Sequence, residues 1–307
     1  METNKGLFTT KYPRNKKFDG VTISGGGNKG LMSLGTLCYY YSTGKYDPKH
    51  VTVYSGTSIG AIIVTLLACG LTPPEIFHEI MINPMMFETS DATYFLDIVN
   101  EGYIMSNKYL KNKITALIIK KMGFIPTYEE LYNKTNIVLV VVVTNVTKLR
   151  GEYYSHRTVP SMSVVDGAIA SSCVPLLFNK STHNGDSIID GGLIDNFPVE
   201  EINDGNREIL GIAMHSERKV LHKETGVLAE RMNFIYGIMF LPFLNNMKNT
   251  SNTAGDNVTI VDLTWNKSGL IVKMTEEDIK LMFSHGWNYA QLRDQTIELT
   301  FPNYFEA

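Results

Sequence analysis

The residues best suited to chemistry sit in two glycine-rich turns near the start of the chain. Gly56-Thr57-Ser58-Ile59-Gly60 has the form G-x-S-x-G. In that pattern the serine occupies a sharp, strained strand-to-helix turn, and glycine two residues to either side avoids clashes there. The turn lifts Oγ to the edge of a sheet, where it can attack a carbonyl once a partner takes its proton. A β-rich segment, His50–Ser55, precedes the pentapeptide and an apolar helical segment, Ala61–Cys69, follows it, as such a turn requires. The plainer reading, a helix cap at Ser58, weakens once this context is counted.

Gly25-Gly26-Gly27-Asn28-Lys29-Gly30 is the second turn, and it also lies between a strand-like and a helix-like segment. It matches G-x-G-x-x-G, which in a dinucleotide site places pyrophosphate on a helix N-terminus. That reading expects an acidic residue closing the next strand, and here the segment closes with Val53-Tyr54-Ser55. A phosphate-binding P-loop needs G-K-[ST], but Gly30 follows Lys29. The remaining readings are a close-packed glycine turn and an oxyanion hole. In the latter, consecutive glycines aim backbone N–H groups at one point, and the helix behind them adds a field favouring negative charge.

The nucleophile needs a base. The seven histidines, His50, His78, His156, His183, His215, His222 and His285, stand in no motif. His215 closes an expected strand and His285 lies on an expected C-terminal helix, so either could complete a Ser–Asp/Glu–His triad. The alternative is a carboxylate. Asp190 ends a short strand and is followed by Gly191 and Gly192, at the kind of strand end where active sites of parallel sheets gather. Taken alone, Asp-Gly is an ordinary turn pair.

The elements that must position these groups read as alternating strands and helices. The expected strands are Val21–Ser24, His50–Ser55, Ile137–Val143, Ser187–Ile189, Glu208–Met214 and Val258–Leu263. The expected helices are Leu31–Tyr41, Ala61–Cys69, one opened by Pro73 and Pro74, Lys108–Met122, a capped Ser163–Ser171, and one running from a cap at Thr275 to about Leu299. Strand–turn–helix occurs twice within the first 70 residues, which predicts an α/β fold: one domain with a central, mostly parallel sheet sandwiched by helices. Residues 1–20 read as a loose polar arm, 21–215 as the catalytic core, and 216–307 as a helix-rich part of the same domain with a further strand.

Composition excludes several classes. A net charge of −3 gives no footprint for nucleic acid. Cys38, Cys69 and Cys173 are scattered and odd in number, which argues against disulfides and structural zinc and for a reducing, cytoplasmic setting. The N-terminus has no apolar core of a signal peptide. The longest apolar run, Phe234–Leu244, is too short to span a bilayer. It reads as a buried helix or flap, or as a surface that meets lipid.

In order, GGGNKG, GTSIG and Asp190-Gly191-Gly192 resemble the patatin-like phospholipase family. Two flanking blocks strengthen the resemblance: Ala170–Phe178 is similar to A-S-S-x-x-P-x-x-F, and Asp190–Pro198 to D-G-G-x-x-x-N-x-P. Together these cover residues 20–215. The resemblance implies a Ser–Asp dyad, with Ser58 as nucleophile, Asp190 as base and Gly25, Gly26 and Gly27 as oxyanion donors. Lys29 would take the family's basic position, and Asn196 and Pro198 would fix the aspartate's turn. It implies a phospholipid or other lipid ester as substrate, transient membrane contact, and no metal or other cofactor. A carboxylate is a weak base at neutral pH, so Asp190 is expected to be desolvated and its pKa raised. The rivals are an esterase using His215 or His285, and a lipid-binding or regulatory protein on the same fold.

Overall fold

A computed structural model describes residues 17–82, 106–175, 177–216, 255–265 and 274–299. Eight strands form one sheet: β1 (Gly20–Ile23), β2 (Val53–Thr57), β3 (Val138–Asn145), β4 (Arg150–Tyr154), β5 (Ser181–His183), β6 (Asp186–Asp190), β7 (Ile209–Ser216) and β8 (Val258–Trp265). β3, β2, β1, β7 and β8 run parallel in that order. The expected parallel sheet is therefore the central part of a mixed one, because β4 and β6 pair antiparallel with β3, and β5 with β6.

The helices are α1 (Gly30–Ser42), α2 (Ile59–Ala68), α3 (Pro73–Ile82), α4 (Lys108–Met122), α5 (Tyr128–Thr135), α6 (Val164–Ser171) and α7 (Glu276–Leu299). Their ends follow from local chemistry. Ser163 caps α6 by accepting the Val165 N–H. At the head of α7, Thr275 and Asp278 exchange side-chain-to-backbone bonds of 3.1 Å. Strand side chains alternate between two cores. Leu139, Val141, Val143, Leu210, Ile212 and Met214 join the larger core with the helices. Val140, Ile209 and Ala213 face a smaller one built on Phe197, Val199 and Ile202. Helix α7 lies directly on α1: Thr36 Oγ1 donates to the Gly286 carbonyl at 2.9 Å, and a Cβ on Gly35 would sit 2.0 Å from the Phe283 oxygen.

One arrangement in the sheet matters most for the site. Val141 and Val142 pair with β2 and β4 at once, so those strands lie on opposite edges of β3. Val143, Thr144 and Asn145 pair with β4 and β6 at once. β6 therefore shares an edge with β2 and continues where β2 stops. Thr57 pairs with Val142 and Asp190 with Val143, so the C-terminal ends of the two strands meet head to head.

Residues 1–16, most of the expected N-terminal arm, and the apolar run Phe234–Leu244 lie outside the described residues. No helix among the described residues is long and apolar enough to cross a membrane.

Candidate active site

Ser58 stands between β2 and α2 with φ 57° and ψ −126°. A non-glycine residue held there stores on the order of 1–3 kcal/mol, so its surroundings must fix it. The end of α6 does so. The Ser58 N–H donates to Ser171 Oγ at 2.9 Å, and Ser172 Oγ donates to the Ser58 carbonyl at 3.1 Å. From below, Ser55 Oγ bonds Thr22 Oγ1 and the Pro198 carbonyl, and Thr57 Oγ1 donates to the Asp195 carbonyl. The two motif glycines admit close backbone approach: a Cβ on Gly56 would meet the Gly60 carbonyl carbon at 2.7 Å, and one on Gly60 would meet the Ile23 oxygen at 2.2 Å.

The head-to-head strand ends bring Ser58 to Asp190. Ser58 Oγ donates to Asp190 Oδ2 at 2.5 Å, and the Gly192 N–H donates to Oδ1 at 2.8 Å. The aspartate's main chain is fixed as well, its N–H on the Cys173 carbonyl and its carbonyl accepting from Thr144 Oγ1. Gly191 must be glycine for space, since a Cβ would lie 2.2 Å from the Val142 oxygen. Asp190 is 2% exposed. Burial pushes its carboxyl up to about 6, against the opposing pull of the bonds from Ser58 and Gly192. The expected desolvation is thus present, and its cause is the closed end of the sheet.

The glycine loop differs in one respect from expectation. The Gly25 N–H is committed to Asn196, reaching its main-chain oxygen at 3.2 Å and Oδ1 at 3.1 Å, while Asn196 Nδ2 returns a bond to the Gly25 carbonyl. Gly25 is an anchor, not a donor turned into the cleft, because the loop needs a fixed end before it turns. Gly26 and Gly27 follow, half-buried, and no acceptor takes their N–H groups among the described residues. Gly27 has φ +57°, which favours glycine. Gly30 seats the loop on the elbow, its Cβ position 2.5 Å from Ile59 Cγ1. Lys29 is largely buried, which lowers its pKa. Asn28 lies in the single 3-10 turn that leads into α1.

The histidine alternatives do not converge on the serine. His215 Nε2 lies 2.8 Å from Asp262 Oδ1, and His285 packs between Trp265 and Tyr289. Among the described residues, no histidine shares a hydrogen bond with Ser58 or Asp190, and none brings together three potential metal ligands. A cavity of about 550 Å³ lies along α6, beside Ala170, without Ser58 or Asp190 in its wall.

In the sequence, Ser171 and Ser172 stand out only as part of the Ala170–Phe178 block. Their work at the elbow is a contact across more than 110 positions. Replacing Ser171 with alanine should leave the Ser58 N–H buried and unbonded. A loss of about 1–3 kcal/mol is expected, read as a lower midpoint in urea, together with reduced turnover as the elbow loosens.

A patatin-like phospholipase family model matches residues 21–202. The chain is 29% identical over 187 residues to the probable lipid hydrolase 463L of Invertebrate iridescent virus 6, covering 60% of this chain and 63% of that protein. It is 26% identical over 219 residues to the uncharacterized protein R571 of Acanthamoeba polyphaga mimivirus, covering 68% and 70%. Among solved structures, VipD from Legionella pneumophila shares the fold with a TM-score of 0.53 at 19% identity, over 91% of this chain and 67% of VipD. The match to the family model takes in both glycine turns, the elbow serine and the aspartate that receives its hydrogen bond, and the chain belongs to the patatin-like phospholipase family.

Proposed function

We propose that the protein is a serine lipid acyl hydrolase that releases fatty acid from phospholipid or another lipid ester through Ser58 and Asp190. The observation that carries this reading is the 2.5 Å bond between Ser58 Oγ and a buried carboxylate. At about 6, that carboxyl is a stronger base than an exposed aspartate yet still ionised at neutral pH.

Ser58 Oγ attacks the ester carbonyl as its proton passes to Asp190 Oδ2. The carbonyl π pair moves onto oxygen, where the N–H groups of Gly26 and Gly27 and the end of α1 meet the new charge. The intermediate collapses, the C–O bond to the lipid alcohol breaks, and Asp190 returns its proton to the leaving oxygen. Water then attacks the acyl-serine. Asp190 takes a proton from it, Ser58 Oγ leaves and is reprotonated, and fatty acid is released.

The test is fatty-acid release from mixed phospholipid vesicles by the wild type, Ser58→Ala and His215→Ala, with a fluorophosphonate probe mapped by mass spectrometry. Release by the wild type and His215→Ala, none by Ser58→Ala, and probe on Ser58 are expected. Below about pH 6, kcat/KM should fall roughly tenfold per pH unit as Asp190 protonates. Labelling of another residue, or an active Ser58→Ala protein, overturns the nucleophile. A wild type silent on vesicles and soluble esters alike favours a lipid-binding role.

A further inference from the structure

The turn joining β3 to β4, residues 146–149, carries a feature that folding does not explain. Leu149 is 85% exposed and has φ +54°. A left-handed turn position normally takes glycine or asparagine, and a large apolar side chain in water gains nothing from folding. Both costs fall on one residue. The turn around it is nevertheless tightly held. The Lys148 N–H donates to Asn145 Oδ1 at 2.9 Å, the Val146 N–H to the Ser187 carbonyl at 2.9 Å, and the Ser187 N–H back to Thr147 Oγ1 at 2.9 Å. The apolar tip is therefore presented rigidly.

Two further apolar side chains stand near it. Val146 is 41% exposed in the same turn. Ile194, 40% exposed, lies over Gly151, whose Cβ position is 2.6 Å from Ile194 Cγ2. Ile194 also follows the Asp190 turn, so it links the tip to the dyad. Asp190 pairs with Val143, and the turn begins three residues further along β3, roughly 10 Å beyond the reacting groups. It projects past the same sheet end that holds Ser58.

Among the described residues, three cations and two anions border the tip. Lys148, Arg150 and Lys180 border the tip against Asp186 and Glu152, with Lys148 on Asp186, Arg150 on Glu152 and Lys180 on Ser187 Oγ. A convex apolar point, with Lys180 beside it bonded to a hydroxyl and not to a carboxylate, suits a deformable fluid surface bearing phosphates. A protein partner would have to offer a matching pit.

We propose that Val146, Leu149 and Ile194 form an apolar rim that enters the surface of a phospholipid membrane and holds the Ser58 cleft against it. The rim rests on the reading of the protein as a lipid acyl hydrolase for its purpose, and its binding is tested without turnover. In a Ser58→Ala background, sedimentation with phosphatidylcholine vesicles, with and without phosphatidylglycerol, measures partitioning. Leu149→Asp should weaken it about tenfold or more, with the thermal midpoint unchanged or slightly raised, because the side chain is exposed and aspartate tolerates left-handed backbone. Leu149→Phe should retain it. A Leu149→Trp variant should show blue-shifted emission on vesicles, quenched by brominated acyl chains beyond the level set by Trp265 and Trp287. Phosphatidylglycerol should tighten binding, and salt should reverse that gain. Absent vesicle binding, parent-level binding by Leu149→Asp, or unshifted Trp emission on bound vesicles overturns the rim. A rim that binds while the wild type releases no fatty acid upholds the rim and overturns the hydrolase reading instead.

Discussion

Asp190→Asn is expected to lower hydrolysis by about 10⁴-fold, the scale on which disabling the proton acceptor of a serine hydrolase acts, while making the protein more stable at neutral pH. Both effects come from one buried carboxylate. Its pKa rises from 3.8 unfolded to about 6 folded. The folded state therefore binds more protons than the unfolded state between those values, and stability falls as pH rises through that window. Above it the full cost is present, a shift of about two units or on the order of 3 kcal/mol. Below about pH 3.8 the cost is absent. Asparagine carries no charge and can still accept the Gly192 N–H, so the variant should melt roughly 5 °C higher at pH 7. That difference should vanish towards pH 4. Calorimetry across pH 4–8 with an activity assay on the same preparation checks both halves. A variant that is less stable at pH 7 would mean the carboxylate is not held against a desolvation cost.

Gly60→Ala should have a large structural effect for a single methyl group. The added carbon would meet the Ile23 oxygen at 2.2 Å and the Ser24 oxygen at 2.7 Å. Both are backbone atoms and cannot rotate aside, so α2 must move away from β1. Overpacking of this kind costs about 1–3 kcal/mol or more, and the displaced element carries Ser58 away from both Asp190 and the glycine loop. Misplacement by about 1 Å can cost on the order of 10²-fold in rate. We expect a melting temperature lower by roughly 5 °C and activity down by about two orders of magnitude. Gly205→Ala is the control. Gly205 has φ +79° but nothing within 4 Å of its Cβ position, so that variant should lose stability through backbone strain alone and keep its rate.

The elbow was legible because its requirements are local: glycine spacing, a strand before and a helix after, all within 20 residues of sequence. The helix caps at Ser163 and Thr275 were legible for the same reason. The partnership of Ser58 and Asp190 spans 132 positions, and only the order of the family's motifs links them; no rule of spacing does. Gly25 read as a donor because three consecutive glycines look alike in sequence. What distinguishes it is Asn196, 171 positions away. The β5–β6 hairpin is a different kind of omission. Asn184 and Gly185 both adopt positive φ, 51° and 85°, which is the local Asn-Gly turn signature, yet Ser187–Ile189 read only as an isolated strand tip. The mixed sheet follows from that hairpin and from the β3–β4 turn, whose Leu149 carries no turn signal in its residue type.

On the proposed reading, the splice of β2 to β6 along one edge of β3 also sets when the chain can begin to act during its own synthesis. A ribosome that has delivered the elbow and the whole of β3 has made a serine with no proton acceptor. The acceptor arrives only with β6, and it is then held in register by a strand already made. If Asp190 is the base, a truncated or stalled chain ending before it should be chemically silent toward lipid. Hydrolysis would then report that β3 has closed a loop of more than 130 residues, the kind of distant pairing that forms slowly in folding.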